Sequence, residues 1–299
     1  VEGAKIIPWG FGTENGTGWG WPDEWPKEFF TNAEGIATVL VPKELTAMIR
    51  AESGDFTFIS FRVEHPNFAP EVQGSFFRDS KQPVTLSKGV TVAVKAIDAR
   101  TGQHVTSDLY AVSSGHPNPK WKLEAGLLRS TPFNPTTADT GRYFRVVYAP
   151  NKAGGTNIVF SDEIDASLLE AEEHIASPDV ELHPGVEMSG SLSENVERPV
   201  KDGGRVVATI LSIQDHHGRD RYGSSWQDVV PIAEDGTFKF AALPRNSHVE
   251  LIAICDGWVS QCTAETATAY NRKYGTEFAE QNYSGRVAAT PFRLDSEAS

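Results

Sequence analysis

The chain has 299 residues, 39% hydrophobic and 22% charged, with 18 prolines and 26 glycines. That balance supplies separate cores for two or three domains of about 100–150 residues and argues against disorder throughout. A net charge of −13 repels phosphate backbones and anionic lipid, so neither nucleic acid nor a membrane surface suits it as a partner.

Apolar runs are only a few residues long, too short to predict a membrane-spanning helix. The sequence opens on Val1 without a methionine or a signal-peptide pattern, which reads as a mature or excised segment. Val-Glu-Gly-Ala-Lys-Ile at 1–6 precedes a long Gly-rich connection holding Trp9, Trp19, Trp21 and Trp25. The turn Thr31-Asn32-Ala33-Glu34-Gly35-Ile36 then leads into a strand over Ala37 to Val41, ending in Val41-Pro42. Phe56 to Val63 is rich in aromatic and β-branched residues, as are Gly141 to Tyr148 and Val249 to Ile254, and all three predict strands. Leu86-Ser87-Lys88-Gly89-Val90 opens a period-two strand through Val92, Val94 and Ala96. Two short helices are predicted. Asp162 to Ala176 carries an apolar stripe of Ile164, Leu168, Leu169 and Ile175, and Thr263 to Lys273 is ended by Gly275.

An internal repeat organises these elements. Gly35, Gly141 and Gly236 each end an acidic turn before an alternating strand, at a spacing of roughly one hundred residues. Leu182-His183-Pro184-Gly185-Val186 repeats the Leu86 to Val90 pattern at a similar spacing, and Val1, Val105 and Val200 hold a third common position. In this frame the unit that opens at Val1 lacks its first strand, and Pro291-Phe292-Arg293-Leu294 resembles Pro83 to Leu86, the start of a further unit. Two explanations stay open: a piece of a longer array, or an incomplete sandwich whose open edge accepts a neighbour's strand. The predicted fold is all-β: three tandem antiparallel β-sandwich modules, immunoglobulin-like or transthyretin-like, with one or two short helices. Their boundaries are 1–83 (lacking its first strand), 84–178 and 179–299.

The run from Val1, Gly3 and Ala4 through Thr31 and Gly35 resembles the carboxypeptidase regulatory-like module. Val200, Gly236, Phe238, Leu243 and Pro244 repeat the match, and the middle unit is more diverged. The resemblance implies a transthyretin-like or immunoglobulin-like sandwich, an accessory module of secreted or surface-anchored bacterial proteins, and no catalytic residues.

Four of the seven tryptophans fall between positions 9 and 25, near Phe11, Phe29 and Phe30. Trp9, Trp19, Trp21 and Trp25 either stack on sugar rings or pack the loop. Exposed, coplanar rings would mark a binding site, and buried rings a structural one. Asp215-His216-His217-Gly218-Arg219-Asp220 reads as a solvated hairpin connection rather than a metal site. Asp98, Asp139 and Asp235 read as turn residues, because no Asp-x-Asp-x-Asp calcium loop occurs. Cys255 and Cys262 either close a small disulfide loop or are independent thiols. The sequence holds no nucleophile elbow, zinc-protease helix or phosphate loop, so the expectation is no catalytic residue, no metal and no cofactor. The function expected is a non-catalytic structural or adhesive repeat protein, extracellular, at the cell surface or in the periplasm. Its partners would be neighbouring modules or copies of itself. The alternatives are a glycan-binding accessory module and an accessory region of a larger secreted or membrane-anchored enzyme.

Overall fold

The computed structural model describes residues 1–12, 18–40, 58–76, 83–115, 119–135, 140–150, 158–200, 204–210, 213–214, 220–221, 226–255, 258–260, 264–274 and 290–294. The chain divides into two compact units, Val1–Thr91 with Thr131–Asn134, and Val92–Ser130 with Pro135–Ser299.

In the first unit, β1 (Lys5–Gly12) lies inside an antiparallel sheet of order β2-β1-β4-β5, and β3 also pairs β1. The partners are β2 (Gly18–Gly20), β3 (Phe29–Phe30), β4 (Phe58–His65) and β5 (Phe68–Phe76). Ala4, Ile6 and Val63 form one small core, with Phe29, Ala37, Val39, Phe61, Val84 and Leu86 packed against it. A second cluster, Phe11 and Ile59, is covered by Trp21, Trp25 and Phe61.

The second unit holds a nine-stranded sheet. Its strands are β6 (Thr91–Asp98), β7 (Leu109–Gly115), β8 (Trp121–Glu124), β9 (Leu127–Ser130), β10 (Thr140–Tyr148), β11 (Val159–Phe160), β12 (Ile164–Asp165), β13 (Ile175–Ala176) and β14 (Asp179–Pro184). The apolar run Val92-Ala93-Val94 in β6 is buried on both faces, as befits a strand lying between β14 and β9. Further strands follow: β15 (Val186–Ser191), β16 (Arg205–Ile210), β17 (Ile213–Gln214), β18 (Asp220–Arg221), β19 (Gln227–Pro231), β20 (Thr237–Leu243), β21 (Ser247–Cys255) and β22 (Trp258–Val259). Helix α1 (Ala264–Tyr274) and β23 (Thr290–Leu294) complete the order. β19-β16-β21-β22 form a sheet with β23 on β21, and β15 pairs β20. One apolar core joins Val147 and Phe160 of the nine-stranded sheet to Val206, Ala208, Val249, Leu251, Phe240 and Leu243.

The all-β expectation holds, and α1 lies where the sequence predicts a helix. The other predicted helix does not form. Residues 162–176 instead give β12, one 3-10 turn (Ala166–Leu168) and β13. Two effects override the apolar stripe. Ile164 and Asp165 pair with Phe144 and Tyr143 at the edge of β10, and Arg142 holds the Asp165 carboxylate through Nε at 2.8 Å and Nη2 at 2.7 Å. Leu168, which the stripe would bury, is 79% exposed. Glu173 and His174 take positive φ in a turn, which no helix permits.

Two repeat positions share one geometry. The Gly35 amide donates to Asn32 O at 2.9 Å, and Asn32 N donates to Ile36 O at 2.9 Å. Likewise Gly236 N donates to Ala233 O and Ala233 N to Thr237 O, both at 2.8 Å. Both glycines have positive φ, +75° and +84°, which a side chain would strain. The corresponding turn before Gly141 lies outside the described residues.

At Gly185 a strand run leaves one sheet for another, and Gly89 marks a similar tight passage. β14 pairs β11 and β6, and two residues later β15 pairs β20. Gly185 sits at the crossing, where a Cβ would lie 2.7 Å from the Cβ of Ala242. At the matching Gly89, φ is +65° and a Cβ would lie 2.7 Å from Phe133 O. Val84 and Leu86 before it pack in the first core, and β6 after it enters the nine-stranded sheet.

Candidate functional site

The tryptophan-rich segment is divided by a β-bulge. Along β1 the pairing with β4 runs Pro8–Phe61 and then Gly10–Ser60, which leaves Trp9 as the extra residue. Before the bulge Ile6 and Pro8 point inward, and after it the inward position falls to Phe11. An inserted residue shifts a strand's phase by one, so Phe11 enters the core while Trp9 stays outside, 56% exposed.

Trp21 and Trp25 are spent on packing. Their rings meet edge-on at 5.3 Å and 81°, and each stands against Phe11, at 6.5 Å and 6.3 Å. Trp21 N donates to Trp9 O at 3.1 Å, and its indole Nε1 donates to Pro26 O at 3.1 Å. Two perpendicular rings, one with its indole N–H already bonded, make no flat shelf for a sugar. Trp19 sits opposite Phe11 in β2, and its side chain is outside the described residues.

Further along β1 the sheet carries both aromatic and charged groups. Phe30, 59% exposed, lies opposite Lys5, and Lys5 pairs with Glu28. Arg62 lies opposite Ile7, and its Nε is 2.7 Å from Glu64 Oε1. An exposed indole on a bulge can offer a stacking face. Of the four predicted tryptophans, the structure thus presents Trp9 outward and does not join it to Trp21 and Trp25 in one surface.

The remaining sequence candidates divide as follows. Asp98 accepts from the Arg100 and Thr101 amides at 2.8 and 3.0 Å, and Asp235 from the Thr237 amide and hydroxyl at 2.9 and 2.7 Å. Those bonds hold both carboxyls below the usual aspartate range: the Thr101 amide is the main cause for Asp98 and the Thr237 hydroxyl for Asp235. Asp139, Cys262 and residues 215–219 lie outside the described residues. Cys255 is a half-buried free thiol at the end of β21. Among the described residues no three His, Cys, Asp or Glu side chains converge as a metal site. A groove of about 400 Å³ is lined, among the described residues, by Leu169, Glu170, Glu172, Ile175, Ser177 and Pro178.

One cluster was invisible in the sequence. His248 Nδ1 is hydrogen-bonded to the Tyr270 hydroxyl, and its ring stands edge-on to Tyr270 and Tyr274 at 5.8 and 5.7 Å. Arg293 covers Tyr274 at 5.7 Å. Tyr270 and Tyr274, four apart on α1, were the only local signal; their partners lie on β21 and β23.

No protein-family model matches the sequence, and no curated protein does. Among solved structures, the chain is 8% identical to a tetra-tandem repeat in the extending region of a large adhesion protein, with a TM-score of 0.13. That match covers 86% of this chain and spans 63% of the other's length.

Proposed function

We propose that the chain is a non-catalytic structural part of an extracellular or surface assembly, with tandem β-sandwich modules serving as stalk or spacer. The observation that carries this reading is the Asp179–Ser191 run, which is β14 of one sheet and β15 of another on either side of Gly185. Tension along the chain loads such a run through two hydrogen-bonded ladders and a shared core, which is the requirement for a spacer that resists stretching. The resemblance to carboxypeptidase regulatory-like modules supports the same role. Single-molecule pulling on the full chain tests it. A high-force event releasing the Val92–Leu294 contour as one step is expected, and extension at near-zero force would sink the spacer reading.

The exposure of Trp9 favours a second reading, glycan recognition by the first unit. A glycan screen with the native chain and Trp9→Ala separates the two, because a spacer has no need of that indole.

A further inference from the structure

We propose that His248 is the pin of an acid-sensitive latch: while neutral it fastens α1 and β23 to β21, and protonation of its ring releases them. The latch lies within the second unit and stands whether or not the chain is a spacer. Along β21 the side chains of Ser247, Val249 and Leu251 are buried, while His248 and Glu250 fall on the other, half-buried face. Two elements meet His248 there. β23 places Arg293 directly opposite it in the ladder, and α1 sets Tyr270, 8% exposed, and Tyr274 edge-on to its ring.

These contacts decide which form of the ring fits. Arg293 Nη1 lies 3.4 Å from His248 Nε2, and a guanidinium carries only donors, so Nε2 must present its lone pair. The ring proton then sits on Nδ1 and is donated to the Tyr270 hydroxyl oxygen. Both nitrogens are committed, and the ring is neutral. A second proton, on Nε2, would aim one N–H at another and set two cations side by side.

The other charges near the ring do not relieve that conflict. Lys273 adds a cation, its Nζ 4.8 Å from the centroid of the Tyr274 ring. Arg272 is exposed, and Glu265 lies more than a turn from Tyr270 along α1. On the far side of β21, β16 sets the uncharged Ile210 and Thr209 opposite Val249 and Glu250. Glu250 favours the charged ring, but it stands two residues on, roughly 6–7 Å along the strand, whereas Arg293 is in contact.

Imidazole ordinarily titrates near pH 6.5, and a ring held neutral titrates lower. The latch therefore has its full strength above about pH 6.5. Below that its closed-to-open ratio falls about tenfold per pH unit, until the lowered value is reached. Opening uncovers Tyr270, the buried Leu294 of β23, and the β21 backbone from Ser247 to Leu251.

Hydrogen exchange on the full chain, corrected for the intrinsic rate at each pH, tests the latch. From about pH 7.5 to about pH 5.5, protection of residues 264–274 and 290–294 should fall by up to about tenfold, with β6 unchanged. By NMR the His248 ring should titrate below about 6.5. H248Q keeps a donor and an acceptor without a titrating proton, so its protection should not vary over that range. R293Q offers an amide oxygen to a protonated ring, so the ring should titrate higher and the acid loss should shrink. A native His248 titration at or above the ordinary value would overturn the proposal. So would an equal acid loss at β6, or a loss that survives undiminished in either variant.

Discussion

The guanidinium of Arg145 in β10 donates through Nη2 to the hydroxyl oxygen of Ser247 in β21 at 2.8 Å, across 102 positions of sequence. The same group donates through Nη1 to the Ser161 carbonyl, and the residue is only 2% exposed. Among the described residues its Nε has no hydrogen-bond partner and no ion pair joins it to a carboxylate. Burial pulls its pKa below the usual arginine value, and the negative charges of Glu163 and Asp162 partly oppose that pull. A buried cation held by neutral oxygens is costly to form and costlier to break, so it fixes the mutual setting of β10 and β21.

Ser247→Ala should therefore destabilise the chain by about 1–3 kcal/mol, because it leaves a buried donor without an acceptor. Arg145→Met keeps most of the stem volume and removes the charge, so it should cost less than Ser247→Ala. The double variant should recover part of the serine loss. Urea unfolding midpoints of the three variants measure this, and a neutral Ser247→Ala would show that the donor finds another acceptor.

Asp165 and Asp228 should pull pH dependence in opposite directions. Burial raises the Asp165 pKa, but bonds from Arg142 and Ser167 outweigh it and leave the carboxyl below the usual range. An acid so depressed adds stability above its unfolded value of about 3.9, and that stability is lost as pH falls through the folded value. Asp165→Asn should then cost about 1–3 kcal/mol at neutral pH and nothing once the native carboxyl is protonated. Burial raises Asp228, and the Val229 amide offsets this only in part, so its charge opposes folding at neutral pH. Asp228→Asn should be the more stable protein at pH 7, with the gain shrinking as pH drops through the raised value. Unfolding curves for both variants across the acid range check the two signs.

Substituting the crossing glycine tests the continuity of β14 and β15. A Cβ at Gly185 meets Ala242 Cβ at 2.7 Å and Ala242 Cα at 2.9 Å, and the backbone atom cannot swing away. Gly185→Ala should cost about 1–3 kcal/mol by overpacking. Gly20→Ala, with nothing within 4 Å of its added carbon, is the control and should stay within about 1 kcal/mol. Equal losses at the two sites would mean that chain entropy, not the Ala242 contact, decides.

What the sequence disclosed follows from the range of each interaction. The Gly35 and Gly236 turns were legible because a positive-φ glycine and its hydrogen bonds sit within five residues. β6 was legible because Val92, Val94 and Ala96 are consecutive inward positions. The stripe at Ile164, Leu168, Leu169 and Ile175 misled because the deciding partner, Arg142, lies 23 positions away from Asp165. The Arg145–Ser247 bond and the His248–Tyr270–Arg293 cluster join elements that only the folded chain brings together. In the tryptophan segment, composition marked the region, and a one-residue bulge then separated Trp9 from Trp21 and Trp25.

That separation gives the last prediction, which sets stability against recognition within a single segment. Trp21 packs on Phe11 and Trp25 and gives its indole N–H to Pro26, so Trp21→Ala removes part of a small core and a hydrogen bond. A loss of about 2–3 kcal/mol is expected, read as an earlier unfolding of the first unit. Trp9 projects from the bulge with 56% of its surface exposed, so Trp9→Ala should change stability by no more than about 0.5 kcal/mol. If the first unit recognises glycans, the ranking reverses for binding: Trp9→Ala abolishes it, while a folded Trp21→Phe variant retains it. Were Trp9→Ala as destabilising as Trp21→Ala, the indole would be a packing element, and the glycan reading would lose the exposed ring on which it rests.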